Sequence, residues 1–303
     1  MFLLCRKQGP MSTKTKNRLN LRTRKPTPFI KWAGGKRRLL LDLKNHFPHQ
    51  FNNYYEPFLG GGAVFFDLEH QNSFISDGNL ELITTYLVIQ NDVTKLIKLL
   101  KNHEKNHCKE YFYSLRACQF LKDPTEIAAR FIYLNKTCYN GLYRVNKKNE
   151  FNTPFGKYKT PNIVDEDNLK LCHQYLNNVN LFNDSFPDRS PANIKYQDYK
   201  AIRPEKGDLV YFDPPYHEAF NAYNATVFDE AKQIELRLFC DELTDKKIQL
   251  IVSNSDTDFI RDQYKAYKIV EINAPRSLNS NIRSRQKVKE LVIFNYEISE
   301  KSQ

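Results

Sequence analysis

The apolar positions of this chain change period several times, and each change marks an element. Short apolar runs bounded by glycine, proline or an acid predict buried strands, and apolar residues spaced three and four apart predict helices with one covered face. Tyr54 to Phe58 is a run of the first kind, followed by Gly60-Gly61-Gly62 and a helical stretch from Ala63 to Glu69. Ser73 to Ser76 predicts a second short strand, closed by Asp77. From Leu80 to about Lys101, Leu82, Ile83, Tyr86, Leu87 and Ile89, then Leu96, Ile97, Leu99 and Leu100, give a long helix its apolar face. The middle, about 105–188, is rich in Asn, Lys and Tyr, with helices expected near Glu126–Leu134 and Asp165–Leu176. Between them runs a long polar loop from Asn135 to Pro161, and a loop of that length is usually functional. Alternation then resumes: a strand at Leu209–Phe212, a helix at Asp229–Leu243, a strand at Ile248–Ser253 and a short helix near Asp256–Gln263. Tyr267–Ile272 and Leu291–Tyr296 bracket a basic loop as an antiparallel hairpin. The order predicts a three-layer α/β domain split by an inserted module.

Composition narrows the class. At 303 residues, with 41% hydrophobic and 13% aromatic content, the chain can bury a full core and is not disordered. No apolar run approaches the ~18 residues that span a bilayer, and the opening Met1 to Cys5 is too short for a signal peptide. Six cysteines show no C-x-x-C pair and no clustered histidine, so neither a metal site nor a disulfide framework is expected, and a cytoplasmic setting is. The net charge is +11, unevenly spread. Residues 1–41 hold twelve Lys or Arg and no acid, and 274–289 carry Arg276, Arg283, Arg285, Lys287 and Lys289, again without an acid. Arg144, Lys147, Lys148, Lys157 and Lys159 form a third patch. Such patches are the footprint of a polyanion binder. Residues 1–25, polar, basic and aperiodic, are expected to be disordered.

The richest local chemistry lies at Asp208-Leu209-Val210-Tyr211-Phe212-Asp213-Pro214-Pro215-Tyr216. A buried strand ends in a carboxylate, two prolines and a ring, at the sheet edge where open α/β folds place their ligands. Prolines lack an N–H and stiffen the backbone, leaving carbonyls as acceptors. A fixed carboxylate, a fixed carbonyl and a stacking ring suit an exocyclic amino group on a flat heterocycle. Asp213 and the Pro214 carbonyl would accept its hydrogens while Tyr216 stacks on the ring. The plainer reading is a strand followed by a proline-terminated loop.

Glu56-Pro57-Phe58-Leu59-Gly60-Gly61-Gly62 is a strand-to-glycine-turn-to-helix junction, where a ligand can approach the backbone beside the positive end of a helix. Asp77 closes the next strand, where a carboxylate takes a ribose hydroxyl pair in a nucleotide-binding βαβ unit. The plainer reading of Asp77 is an N-cap for the helix that follows. The glycines do not follow the G-x-G-x-x-G pattern, so a nucleoside with little phosphate fits better than a dinucleotide. Lys31-Trp32-Ala33-Gly34-Gly35-Lys36 looks like a phosphate loop without the Walker spacing. Trp32, the chain's one tryptophan, suits either a ligand face or a core anchor.

Three segments together carry a resemblance: Pro28 to Lys36, Glu56 to Gly62, and Asp213-Pro214-Pro215-Tyr216. They resemble, in order, the signature motifs of the Dam-type DNA adenine-N6 methyltransferases (D12 class, alpha group). Asn140 to Asn146 with Phe151 to Gly156 is similar to the family's target-recognition loop, as is the stretch Ser284 to Val292 to the family's tail. The resemblance covers roughly residues 27–298. It implies a Rossmann-like α/β methyltransferase sheet dependent on S-adenosylmethionine, with an inserted, mainly helical target-recognition domain. The division it implies is a basic extension at 1–26, a first catalytic part at 27–82, a recognition domain at 83–188 and a second catalytic part at 189–303. Carried over by position, Trp32, Ala33, Gly34 and Lys36 would line the cofactor pocket. Phe58 and Gly60 would lie beneath the methionine portion, Asp77 would hold the ribose, and Asp198 with Tyr199 would meet the cofactor's adenine. Asp213, Pro214 and Tyr216 would hold the target base. Lys31, Leu142, Arg144 and Pro154 match positions that read GATC, with Asn152 as a further DNA contact in the same loop. Tyr199 stands where Phe is common, and the family is silent on the 25-residue extension.

The reaction so implied is methyl transfer to adenine N6 in duplex DNA, by a monomer working alone or beside a cognate restriction endonuclease. The adenine must be flipped out, costing a few kcal/mol, of which stacking on Tyr216 would return roughly 1–3 kcal/mol. Two rival readings remain open: an amino-group methyltransferase acting on another DNA sequence, on RNA or on a protein, and a DNA-binding module without activity.

Overall fold

The computed structural model describes residues 24–118, 121–146, 148–181, 199–218, 228–275 and 287–298. Its elements run α1 (Leu40–Lys44), β1 (Tyr54–Glu56), α2 (Ala63–Leu68), β2 (Ser73–Ile75), α3 (Leu80–Lys105), α4 (Lys109–Ala117), α5 (Pro124–Thr137), α6 (Glu166–Leu176), β3 (Asn180–Leu181), β4 (Leu209–Phe212), α7 (Glu230–Asp245), β5 (Gln249–Ser255), α8 (Asp258–Gln263), β6 (Lys268–Pro275) and β7 (Lys287–Phe294). The strands form one seven-stranded sheet in the order β3-β2-β1-β4-β5-β7-β6. β3, β2, β1, β4 and β5 pair in parallel, and β7 is inserted antiparallel between β5 and β6. This is the mixed α/β architecture of a Rossmann-like methyltransferase.

The strand pleat sorts side chains onto the two faces. Tyr54, Leu209, Tyr211, Ile251 and Val292 join one apolar cluster with residues of α2, α3, α5 and α6. Tyr55, Val210, Phe212, Val252 and Ile293 join the other with residues of α7 and α8. Central β4 is buried on both faces, every residue of it fully enclosed. That explains its uninterrupted apolar run.

Polar residues start the helices. Asn79 caps α3, Asp123 caps α5 with Pro124 at the first helical position, Asp165 caps α6 and Asp229 caps α7. Each side chain accepts a backbone N–H that would otherwise lack an intrahelical partner. Helix α3 passes without a break through residues 82 and 83 and kinks at Asp92 (φ −147°, ψ 52°). His173 Nδ1 lies 2.9 Å from the Ile89 carbonyl beside that kink.

Several elements differ from the sequence-based expectation. α5 extends to Thr137, so Asn135 is a buried helical residue and not the start of the loop. The loop beyond it is drawn together by antiparallel bridges between Cys138 and Phe155 and between Val145 and Phe151. α1, α4 and the two-residue β3 were not foreseen. α4 buries only Phe112, too weak an apolar face to stand out from its polar surroundings. Of the basic stretch 1–25 only Arg24 and Lys25 are described, and Lys25 is ion-paired with Glu69. The remainder of that stretch, the basic loop at 276–286 and Asp198 lie outside the described residues.

Candidate active site

The parallel pairing of β1 with β4, with Tyr55 opposite Val210, brings the ends of both strands to one edge of the sheet. β1 ends in Glu56 and β4 runs into Asp213. Lys36, in a 3₁₀ turn at Lys36–Arg38, reaches into this edge although it is only 3% exposed. Its ammonium lies 2.6 Å from Asp213 Oδ1, donates to the Gly34 carbonyl at 2.9 Å and sits 4.7 Å from the centre of the Tyr216 ring. The Tyr216 hydroxyl donates to Glu290 Oε2 at 2.8 Å. One buried cation therefore stands among three carboxyl groups and an aromatic face.

The electrostatics follow from burial. Asp213 is pushed up to about 6: desolvation outweighs the opposing pull of Lys36, and Glu290 adds to the rise. Glu56 is raised well above the usual carboxylate range, first by desolvation, against the hydrogen bond it accepts from Tyr54, with Asp213 adding to the rise. The Tyr54 hydroxyl donates to Glu56 Oε2 at 2.8 Å. Burial likewise pushes Tyr216 well above its ordinary value, with Asp213 and Glu290 contributing. No described residue donates to the Pro214 carbonyl, whereas the neighbouring Pro215 carbonyl is taken by Gln233.

A second group of residues gathers at the glycine turn. Gly60 has φ +51°, and a Cβ there would lie 2.6 Å from Trp32 Cδ1. Only glycine allows the indole so near the backbone. The Gly60 N–H donates to Asp77 Oδ2 and the Asn79 N–H to Asp77 Oδ1, both at 2.8 Å. Asp77 therefore ties the glycine turn to the start of α3, while Asn79 is the cap proper. Burial pushes the Asp77 carboxyl to about 6 against those two donors. Trp32 stacks on Tyr143 (centroids 5.6 Å apart, 23° between planes). Phe58 belongs to the other face of the sheet, its ring 5.5 Å from that of Tyr199. The cofactor residues read from sequence thus form two sets, Trp32 with Gly60 and Asp77, and Phe58 with Tyr199, joined by the short segment 58–60. Ala33 and Gly34 lead from Trp32 to the Lys36 turn. A carboxylate and aromatic rings around a glycine turn complement a nucleoside better than a phosphate.

The residues expected to meet DNA are also brought together. Buried Asn135 accepts from the Lys31 N–H at 2.9 Å and donates to the carbonyls of Lys31 (2.8 Å) and Gly141 (3.2 Å). It fastens the Lys31 segment to the loop. Arg144 Nε donates to Asn152 Oδ1 at 2.7 Å, and the Asn152 N–H donates to the Arg144 carbonyl. Thr153 Oγ1 donates to the Leu142 carbonyl at 2.7 Å, and the Tyr139 N–H to the Pro154 carbonyl at 2.8 Å. Lys31, Arg144 and Pro154 are exposed on this frame. Sequence reasoning did not single out Glu56, Asn135, Gln233, Asn254 or Glu290 for the site. Glu56 and Glu290 stood in segments already noted. Gln233 gave no local signal at all.

Known proteins resemble this chain over most of its length. The sequence model of the D12 class N6 adenine-specific DNA methyltransferases matches residues 32–278. The chain is 38% identical to the Type II methyltransferase M1.LlaDCHI of Lactococcus lactis subsp. cremoris, over 94% of this chain and 99% of that one. It is also 38% identical to the Type II methyltransferase M.MjaIII of Methanocaldococcus jannaschii, over 89% and 99%. Its identity to the DNA adenine methylase of Escherichia coli K12 is 32%, over 89% and 95%.

Proposed function

The chain belongs to the D12 class of N6 adenine-specific DNA methyltransferases, and from that premise we propose that it methylates N6 of an adenine flipped out of duplex DNA, within GATC. The observation that carries the reading is the edge of β4. There a half-buried carboxylate, a proline carbonyl with no donor among the described residues and an aromatic ring stand within one turn.

In this reading Asp213 and the Pro214 carbonyl accept the two hydrogens of the adenine amino group, and Tyr216 stacks on the base. The N6 lone pair is normally delocalised into the ring, and bonds to both hydrogens turn it out of the plane. The Lys36 ammonium lies against Asp213 Oδ1, so the incoming amino group displaces it from that atom or takes the other oxygen. Ionised Asp213 is the stronger acceptor, which places the favoured working range above about pH 6. The family implies S-adenosylmethionine as methyl donor, which when bound supplies an electrophilic methyl group. Trp32 would line its pocket, Phe58 and Gly60 would lie beneath its methionine portion, Asp77 would hold its ribose, and Tyr199 would meet its adenine. Orientation is the main contribution, and well-aligned reactants can supply roughly 7–11 kcal/mol.

Residues 83–188 would act as the recognition part, with Lys31, Leu142, Arg144, Asn152 and Pro154 facing the bases. The Type II designation of the 38% identical relatives supports a setting beside a restriction endonuclease as a functional partner, and in this reading the enzyme works as a cytoplasmic monomer. Among the described residues no helix is long and apolar enough to cross a membrane. The test is expression in a host without adenine methylation, followed by sequencing with detection of modified adenine. N6-methyladenine in GATC is expected, and Asp213→Ala should abolish it. A different motif would refute the specificity and keep the class, and modification confined to RNA would refute the substrate.

A further inference from the structure

Tyr216 is flanked by two peptide groups anchored on other elements. On one side, the Pro215 carbonyl accepts from Gln233 Nε2 at 2.8 Å. On the other, the His217 N–H donates to Asn254 Oδ1 at 3.1 Å, and the His217 carbonyl accepts from Ser255 Oγ at 2.6 Å. The two anchors are a single relay, because Asn254 Nδ2 donates to Gln233 Oε1 at 3.0 Å. Gln233, in the first turn of α7, and Asn254, near the end of β5, are both fully buried.

Burying two primary amides is costly unless every polar atom is bonded. An apolar pair would fill the same volume without that cost. What the amides add is direction: each carries a donor and an acceptor at fixed separation, so the relay sets the backbone on both sides of Tyr216 relative to the sheet. It also leaves the Pro214 carbonyl free of a described donor. We propose that Gln233 and Asn254 are positioning residues that fix the Tyr216 ring and the Pro214 carbonyl for the target amino group. This inference rests on the reading of residues 213–216 as the methyl-transfer site.

Two variants and two measurements test it in the full-length protein. Gln233→Leu removes the donor to Pro215 and the acceptor for Asn254. Gln233→Glu keeps both when its carboxyl is neutral, with O–H donating to Pro215 and C=O accepting from Asn254, and loses the donor when ionised. Hydrogen exchange of the ligand-free protein should show faster exchange of the His217 amide in Gln233→Leu, with the rest of β5 and α7 unchanged. Single-turnover methylation should fall roughly 100-fold in that variant, the scale of a misplacement near 1 Å. Cofactor and duplex affinities should stay at wild-type values. For Gln233→Glu, the ratio of its rate to the wild type's should fall as pH rises, with a midpoint above the ordinary carboxylate range because the site is buried. A wild-type exchange pattern together with a wild-type rate in Gln233→Leu would overturn the proposal. So would a ratio for Gln233→Glu that does not change with pH, which decides the matter if Gln233→Leu fails to fold. Faster His217 exchange in a protein whose wild type methylates no adenine would uphold the anchor and overturn the functional reading instead.

Discussion

Replacing Lys36 with methionine should move the acid limb of the pH–rate profile upward. The ammonium lies 2.6 Å from Asp213 Oδ1, and both side chains are largely enclosed. At an effective dielectric near 20, opposite charges at that separation attract by about 6 kcal/mol. At about 1.4 kcal/mol per pH unit, that sets a ceiling near four units on the shift. Buried pairs generally realise roughly one to three. Burial pushes Asp213 up to about 6 even with Lys36 present, and the ionised carboxylate is the stronger acceptor for the amino group. Activity should therefore fall as pH drops through about 6 in the wild type. Without the cation the same fall should occur near pH 7 or above. At neutral pH a shift of two units would leave Asp213 about one-tenth ionised, so the variant should be roughly tenfold slower there and recover as pH rises. The assay is kcat/KM for a GATC duplex against pH at saturating S-adenosylmethionine, because kcat/KM reports groups of the free enzyme. Methionine preserves the length and much of the volume of the stem. An acid limb that stays near pH 6, or a loss equal at every pH, would refute the argument that Lys36 sets the ionisation of Asp213.

Three further outcomes are expected. Asp77→Ala strips the partner from two backbone N–H groups, so it should lower stability by about 1–3 kcal/mol and weaken S-adenosylmethionine binding together. Unchanged melting and unchanged calorimetric affinity would remove Asp77 from both roles. Gly60→Ala places a methyl 2.6 Å from the Trp32 ring at a positive φ, so it should reduce cofactor affinity and shift the fluorescence of the one tryptophan. A wild-type spectrum and affinity would show that the close approach has no consequence. Arg144→Ala should relax recognition at one outer base pair, by about 1–3 kcal/mol, as read from methylation rates on a panel of single-substitution duplexes. A uniform loss across the panel would make Arg144 a phosphate contact.

The elements that were legible in the sequence are those whose physics is local. β4 is enclosed on both faces, so its four apolar residues stand uninterrupted and end at Asp213. The helices of α3, α5 and α6 announce themselves by period and by capping Asn or Asp. The glycine turn is visible because Gly60 has to lie beneath an indole. From these segments the α/β class, the position of Asp213, Pro214 and Tyr216 at the end of a buried strand, and the proximity of Trp32, Gly60 and Asp77 could all be anticipated. What the tertiary structure alone decided depends on strand order and on distant side chains. β7 enters antiparallel between β5 and β6, placing Glu290 opposite Ser255 and within reach of the Tyr216 hydroxyl 74 residues earlier in the chain. Lys36, which the family resemblance places in the cofactor pocket, also lies 2.6 Å from Asp213, a contact that exists because the turn at Lys36–Arg38 carries it to the end of β4. Asn135 looked like the first residue of a polar loop and is a helical residue tying that loop to Lys31. Gln233 is a polar position on a helix with no periodic or compositional mark. Its role exists only because β5 and α7 both pack beside the turn after β4, a proximity that no local pattern encodes.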